Sequence, residues 1–178
     1  AIQLDIIAVA GKTQGNEVRL TSVGYEKECF VSLCDISKDK AEKGTSDALI
    51  MGVACYLADK GYKTGGFSAC AESRVVQGSG LSSSAAIEVS TALCIATLSN
   101  EAKGVNEDID MISLALIGQK AENKYCGVNC GIMDQFASAM GKENNAIFLK
   151  CDDLTYQYVP LELDGKKIVI SNTKAKHS

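Results

Sequence analysis

An α+β domain is the fold class that the order of periodicities predicts. Apolar residues alternate with period two in the first third of the chain and again at its end, and they recur at helical spacing in between. The helices are gathered in the middle rather than interleaved with strands, so the βαβα rhythm of a doubly wound sheet is missing. With 178 residues, 46% of them hydrophobic and 22% charged, the chain can bury a real core. No linker or internal repeat divides it, and residues 1–178 read as one domain or part of a larger one.

Three strands open the chain: "IQLDIIAVA" (2–10), "EVRLTSV" (17–23) and "ECFVSLC" (28–34). They are separated by "GKTQGN" and "GYEK", which predicts a meander with Gly11, Lys12 and Thr13 in its first turn. A helix is expected over 46–60, with Leu49, Val53, Tyr56 and Leu57 on one face, Ser46 as its cap and Gly61 as its stop. A fourth strand, "GFSACAESRVV" (66–76), runs into the stretch "RVVQGSGLSSSAA" (74–86). A second helix, apolar nearly all round, follows from Ser82 or Ser84 to Leu98 and belongs deep in the core. A third is expected from a cap at Asn106 to about Asn123, with Ile109, Ile112 and Leu116 facing the core, and a short fourth from near Gly131–Asp134 to before Gly141. The end returns to strands at 145–151, 156–163 and 166–172, with turns at Asp152-Asp153 and Asp164-Gly165.

Composition excludes several classes of function. A net charge of −4 offers no electrostatic hold on nucleic acid or anionic lipid, so small molecules are the expected partners. No apolar run approaches the roughly 20 residues a bilayer needs, and the opening residues lack the basic start of a signal peptide, which makes the cytoplasm the expected compartment. Eight cysteines without a C-x-x-C, and a single histidine, His177, argue against zinc or a disulfide framework. They read as small buried apolar residues in a reducing compartment. Composition leaves oligomeric state open.

The glycine and serine loop invites three readings that fail. Gly11-Lys12-Thr13 ends like a Walker phosphate loop, but Ile6 stands where its first glycine belongs. A dinucleotide fingerprint would need a third glycine where Ser83 stands, and a G-x-S-x-G nucleophile elbow is absent. What remains is physical. Gly78 and Gly80 permit close backbone approach, Ser82, Ser83 and Ser84 offer hydroxyls, and the stretch hands a strand over to a helix N-terminus, whose amides and positive end favour an anionic oxygen. Such a loop is either a phosphate cradle or an ordinary turn with a serine cap. Two carboxylates bear on the choice. Glu122 shares a narrow helical stripe with Met111, Ala115 and Gly118, and Asp134 follows twelve residues later in "CGIMDQF". Singly, each reads as a solvated helix end or a cap; with the loop they supply what metal-assisted phosphoryl transfer requires, an anion cradle, hard oxygen ligands for Mg²⁺ and a carboxylate beside the attacking hydroxyl.

"GSGLSSSAAIEV" (78–89), "GQKAENKYCGVNCGIMDQF" (118–136) and "ISNTKAKHS" (170–178) resemble, in order and spacing, successive motifs of the galactokinases, a branch of the GHMP kinase superfamily. The resemblance spans essentially the whole chain. It implies the superfamily's N-terminal domain, of the ribosomal protein S5 domain 2-like type, a mixed sheet packed against helices. It implies that Gly78, Ser79, Gly80, Leu81, Ser82, Ser83 and Ser84 wrap the phosphates of ATP, and that Ser84 and Glu122 ligate Mg²⁺. Asp134 would act at the C1 hydroxyl of galactose as base or orienting group, with the Gly131 backbone also against the sugar. The implied activity is transfer of the γ-phosphate of ATP to C1 of α-D-galactose; a galactokinase-like sugar and nucleotide sensor without catalysis, or a superfamily kinase with another acceptor such as N-acetylgalactosamine, are the alternatives.

Two departures from the family pattern stand out. Val76 replaces the proline that usually begins the loop. The R-x-N-x-x-G-E-H-x-D-Y segment, which carries a catalytic arginine and most sugar-binding side chains, belongs just upstream of Ala1, and a C-terminal domain belongs after Ser178. The chain is therefore expected to be an N-terminal-domain fragment without useful kinase activity by itself.

Overall fold

The computed structural model describes residues 4–75 and 80–171. Its main sheet holds β1 (Ile6–Lys12), β2 (Glu17–Ser22), β3 (Cys29–Ser32) and β4 (Phe67–Ser73) in the order β1-β4-β2-β3. The sheet is mixed, as an α+β domain of this kind requires: β4 runs antiparallel to β1 and parallel to β2, and β2 pairs antiparallel with β3. The expected meander is thus corrected, because β4 inserts between the first two strands. Gly66 makes the insertion sterically feasible. Its N–H donates to the Gly15 carbonyl at 3.1 Å and its carbonyl accepts from the Thr13 N–H at 2.9 Å, and a Cβ at this position would overlap Gly15. Lys12 accordingly lies in a strand, and no turn forms at Gly11-Lys12-Thr13.

Period-two alternation gives the sheet one covered and one open face. Phe67, Ala69 and Ala71 of β4 are buried with Val18 and Val31, while Ile7, Val9 and Phe30 are exposed. Four helices follow: α1 (Ser46–Asp59), α2 (Ser83–Lys103), α3 (Met111–Ala121) and α4 (Met133–Met140). Ile50, Val53, Leu57, Ile95, Leu114 and Ile117 close the principal core over the sheet. A separate hairpin of β5 (Asn145–Leu149) and β6 (Tyr156–Pro160) packs Ile147 and Leu149 against Phe136 of α4.

Helix boundaries depart from expectation where a different residue satisfies the orphan amides. Thr45, not Ser46, caps α1, its Oγ1 accepting from the Ala48 N–H at 3.2 Å. α2 runs five residues past Leu98 and stops at Gly104, whose φ of 68° ends the helix in the left-handed region. α3 starts after Asp110 rather than Asn106, because the Asp110 carboxylate accepts from both Ile112 N–H (3.1 Å) and Ser113 N–H (3.2 Å). Its buried face carries Leu114, Ala115, Ile117, Gly118 and Ala121, and Leu116 is exposed. The small residues on that face let α1, α2 and α4 approach closely, which outweighs the larger side chains of the alternative face. The segment 166–171 forms no strand: among the described residues no neighbour completes a ladder with it, and Val169 is 81% exposed.

All eight cysteines are free thiols; only Cys126 is buried, and Cys34, Cys70 and Cys151 are exposed rather than packed in the core. No helix among the described residues is long and apolar enough to cross a membrane.

Candidate active site

The glycine and serine loop ends at the N-terminus of α2 in an unusual geometry. Gly80 has φ 74°, and Ser82, at the N-cap, is held at φ 62° and ψ 43°, in the left-handed region that a residue with a Cβ rarely adopts. In that conformation its side chain makes no cap hydrogen bond. Among the described residues no other side chain takes the place of that cap, which suits a terminus whose amides meet an anionic oxygen rather than an ordinary serine-capped turn. Gly78 and Ser79 lie outside the described residues, as does Val76; Gly80, Leu81, Ser82, Ser83 and Ser84 lie within them.

Ser83 and Ser84 also border a cavity of about 380 Å³ between the sheet and the helices. Its walls are largely apolar, with Ala8, Leu20, Ala69 and Ala71 from the sheet and Ile87 from α2; Tyr25, Lys27 and Asp47 bring polar groups. Asp47 Oδ1 is buried and unpartnered. A pocket of this size, apolar with a few polar groups, suits a small molecule.

The end of α3 builds the second part of the site. After Ala121 the helix widens into a π turn, Glu122–Cys126, closed by Gly127 at φ 74°. Such widened turns recur at functional sites because they redirect side chains that a regular helix would space evenly. The loop beyond is tied back by two contacts: Asn123 Oδ1 accepts from the Cys130 N–H at 2.9 Å, and Gln119 Nε2 donates to the Cys130 carbonyl at 3.3 Å. The tie delivers Gly131, exposed, and Asp134, half-buried in the first turn of α4, where the helix dipole favours a carboxylate.

Two buried polar residues join these parts, and neither was singled out from the sequence. Gln135, fully buried, donates from its one amide nitrogen to Glu122 Oε2 at 2.8 Å and to Glu88 Oε2 at 2.9 Å. Glu88, also 0% exposed, stands one turn beyond Ser84 on the same face of α2. Helical spacing from Ser84 to Glu88 and the Gln135 bridge from Glu88 to Glu122 are what relate the two predicted metal ligands. Gly118 gives the pair its space, since a Cβ there would lie 3.1 Å from Glu88 Oε2 and 3.2 Å from Gln135 Cγ. Burial pushes the Glu88 carboxyl up to about 8; the Gln135 hydrogen bond works against the rise, and the carboxylates of Glu122 and Asp134 add to it. Cys130, whose Sγ–H donates to Glu122 Oε2 at 3.4 Å, is pushed up to about 11 by burial first and that carboxylate second, which leaves it an inert thiol. The signal for Glu88 was present, a lone carboxylate inside "AAIEVSTALCIATL".

The donor set suits one metal in particular. Glu122 and Ser84 are hard oxygen donors, and no three His, Cys, Asp or Glu side chains among the described residues are arranged to hold a metal ion by themselves. A self-sufficient metal cage is therefore not what these residues make. Mg²⁺ fits, because it keeps several waters and is held by one or two protein oxygens together with substrate phosphates.

Comparison with known proteins identifies the family of this fold. Residues 48–142, from α1 to the end of α4, match the family model of the GHMP kinases N terminal domain. Galactokinase of Limosilactobacillus fermentum is 42% identical over 180 residues, an alignment covering 100% of this chain and 45% of that protein. Galactokinase of Clostridium tetani is 38% identical over 99% of this chain and 43% of its own length. Among solved structures, Lactococcus lactis galactokinase complexed with galactose superposes with a TM-score of 0.74 and 28% identity, covering 97% of this chain and 46% of that one. The chain thus spans under half the length of these relatives. A family match across the helices that hold the site, together with this fold, gives the assignment: the chain belongs to the GHMP kinases, carrying their N-terminal domain.

Proposed function

We propose that the complete protein is a galactokinase, transferring the γ-phosphoryl group of ATP to the C1 hydroxyl of α-D-galactose. The observation that supports the reading is similarity to galactokinases along the whole chain, with Ser82 making no cap hydrogen bond at the start of α2 and Glu122 tied through Gln135 to Glu88 on that same helix. The amides at the start of α2, with Gly80, Leu81, Ser82, Ser83 and Ser84, receive the phosphates, and Gly78 and Ser79 complete the cradle. The adjoining cavity takes the base and ribose, with Asp47 Oδ1 as a waiting acceptor for a hydroxyl or amino group. Ser84 and Glu122 are the Mg²⁺ ligands; the ion, when bound, neutralises charge on the transferred group. Asp134 orients the C1 hydroxyl and accepts its proton, and the Gly131 backbone contacts the sugar. ATP and galactose are the small-molecule partners, and the cytoplasm is the compartment proposed.

A coupled assay of ADP release from the complete protein, run with galactose, N-acetylgalactosamine, mevalonate and homoserine, tests the reading. Turnover with galactose is expected; turnover only with another acceptor, or with none, overturns it. In the same assay Asp134→Asn should lower kcat by about 10² to 10⁴, the usual contribution of a positioned base, while nucleotide affinity stays within a few-fold. A surviving kcat would remove Asp134 from its assigned role.

A further inference from the structure

The orientation of one buried amide bears on how the metal ligand is held. Gln135 sits in the first turn of α4 with both amide N–H groups committed to carboxylates, one on the π turn and one on α2. Its carbonyl oxygen, Oε1, is buried and unpartnered, as is Glu88 Oε1. Turning the amide over would place that oxygen against Glu122 Oε2 and Glu88 Oε2 and take from both the N–H donor they now share, so the two acids together favour the way it points. A buried amide normally satisfies both ends. Here one end is given up in favour of clamping two acids from separate helices, an arrangement that packing alone does not require.

We propose that Gln135 is a positioning residue for the metal ligand: by bridging Glu122 Oε2 to Glu88 Oε2 it locks the Glu122 carboxylate at a fixed place relative to Ser84, one helical turn before Glu88. The proposal rests on the galactokinase reading, in which Glu122 and Ser84 share Mg²⁺. Glu88 is anchored in the longest helix, and Glu122 lies on the π turn, where the regular hydrogen-bond ladder is interrupted. The amide transfers the rigidity of the first to the second. Glu122 Oε1 accepts no hydrogen bond among the described residues, and that oxygen is the one offered to the metal. Gly118 belongs to the device, since a Cβ there would crowd Glu88 Oε2 at 3.1 Å and Gln135 Cγ at 3.2 Å and press the pair out of its present place.

The test uses the complete protein and Mn²⁺ as a paramagnetic probe in place of Mg²⁺. Mn²⁺ affinity is read by electron paramagnetic resonance in the presence of a non-hydrolysable ATP analogue, and galactose affinity by calorimetry. Gln135→Met keeps the length of the side chain and removes both donors. It should weaken Mn²⁺ binding about 10- to 100-fold, the range for loss of a group that orients a metal ligand, with galactose affinity within twofold of wild type. Mn²⁺ affinity within twofold of wild type overturns the proposal, and so does an equal loss of sugar and metal affinity, which would mean a loosened domain. Should the methionine variant not fold, Gln135→Leu, whose side chain carries no donor in any protonation state, is held to the same criteria. A wild-type protein that binds neither the metal–nucleotide pair nor galactose overturns the galactokinase reading instead, so the two failures are told apart.

Discussion

Glu88→Gln is the substitution whose energetics the structure defines most sharply. The carboxyl is wholly buried and faces Glu122 from the π turn, Asp134 and Gln135 from α4 and, at greater remove, Cys126 and Cys130. Its acidity moves from the ordinary 4.5 to about 8, with burial as the largest cause. Since each tenfold change in acidity corresponds to about 1.4 kcal/mol, the full displacement is worth about 5 kcal/mol. The sign follows from the proton count. Between these two values the folded chain holds a proton that the unfolded chain has released, so stability is fully present below about 4.5 and is lost as pH rises through about 8. From pH 5 to pH 8 the loss amounts to about 3–4 kcal/mol, and an isosteric neutral glutamine does not suffer it. Urea unfolding of the chain in EDTA, at pH 5 and pH 8, reads this directly. The variant should nearly match wild type at pH 5 and exceed it at pH 8 by a midpoint shift of about 1.5–2 M, taking a slope of about 2 kcal/mol per molar urea. Parallel pH dependences for the two proteins would refute the reasoning, because they would mean that Glu88 is ionised in the folded state at no cost.

Two further substitutions separate structural explanations from sequence propensities. Thr45→Ala removes the side-chain cap of α1 and should cost about 1 kcal/mol by thermal or urea unfolding, whereas Ser46→Ala, one residue on, should be close to neutral; the reverse ranking would restore Ser46 as the cap. Gly52→Ala lies in mid-helix, where propensity alone promises a gain of about 1 kcal/mol. A Cβ there would stand 2.8 Å from both Ala121 Cβ and Tyr125 Cδ2, so overpacking should dominate and lower stability by about 1–2 kcal/mol net, and a raised Tm would contradict the close helix approach.

The elements that were legible in the sequence are those whose signal is local. The alternation of Phe67, Ala69 and Ala71, the spacing of Leu49, Val53 and Leu57, and the hairpin turn at Asp152-Asp153 each depend on neighbours within a few residues, and each forms. The order of the sheet was not legible, because β4 reaches its place between β1 and β2 through a contact of Gly66 with Gly15 that no periodicity encodes. Capping lies between these cases. Asp110 and Asn106 are both good caps by residue type, and only the hydrogen bonds of the folded chain decide for Asp110.

The site divides along the same line. Ser84, Glu122 and Asp134 stood out only in combination, because a glycine and serine loop with two carboxylates in family motifs implies chemistry that each residue alone does not. Glu88 and Gln135 did not, because a glutamate in a helix is usually a solvated surface residue and a glutamine carries no charge to attract notice. Their meaning comes from being fully buried together, 47 positions apart in the chain. Burial changes the energetic account: an exposed Glu88 would titrate as any glutamate, whereas an enclosed one depends on a donor, and the donor available is an amide already bonded to Glu122. A group that binds substrate must remain accessible, so its chemistry can be read from residue type. A group that only holds it in place is enclosed, and its role becomes visible when the helices that enclose it are assembled.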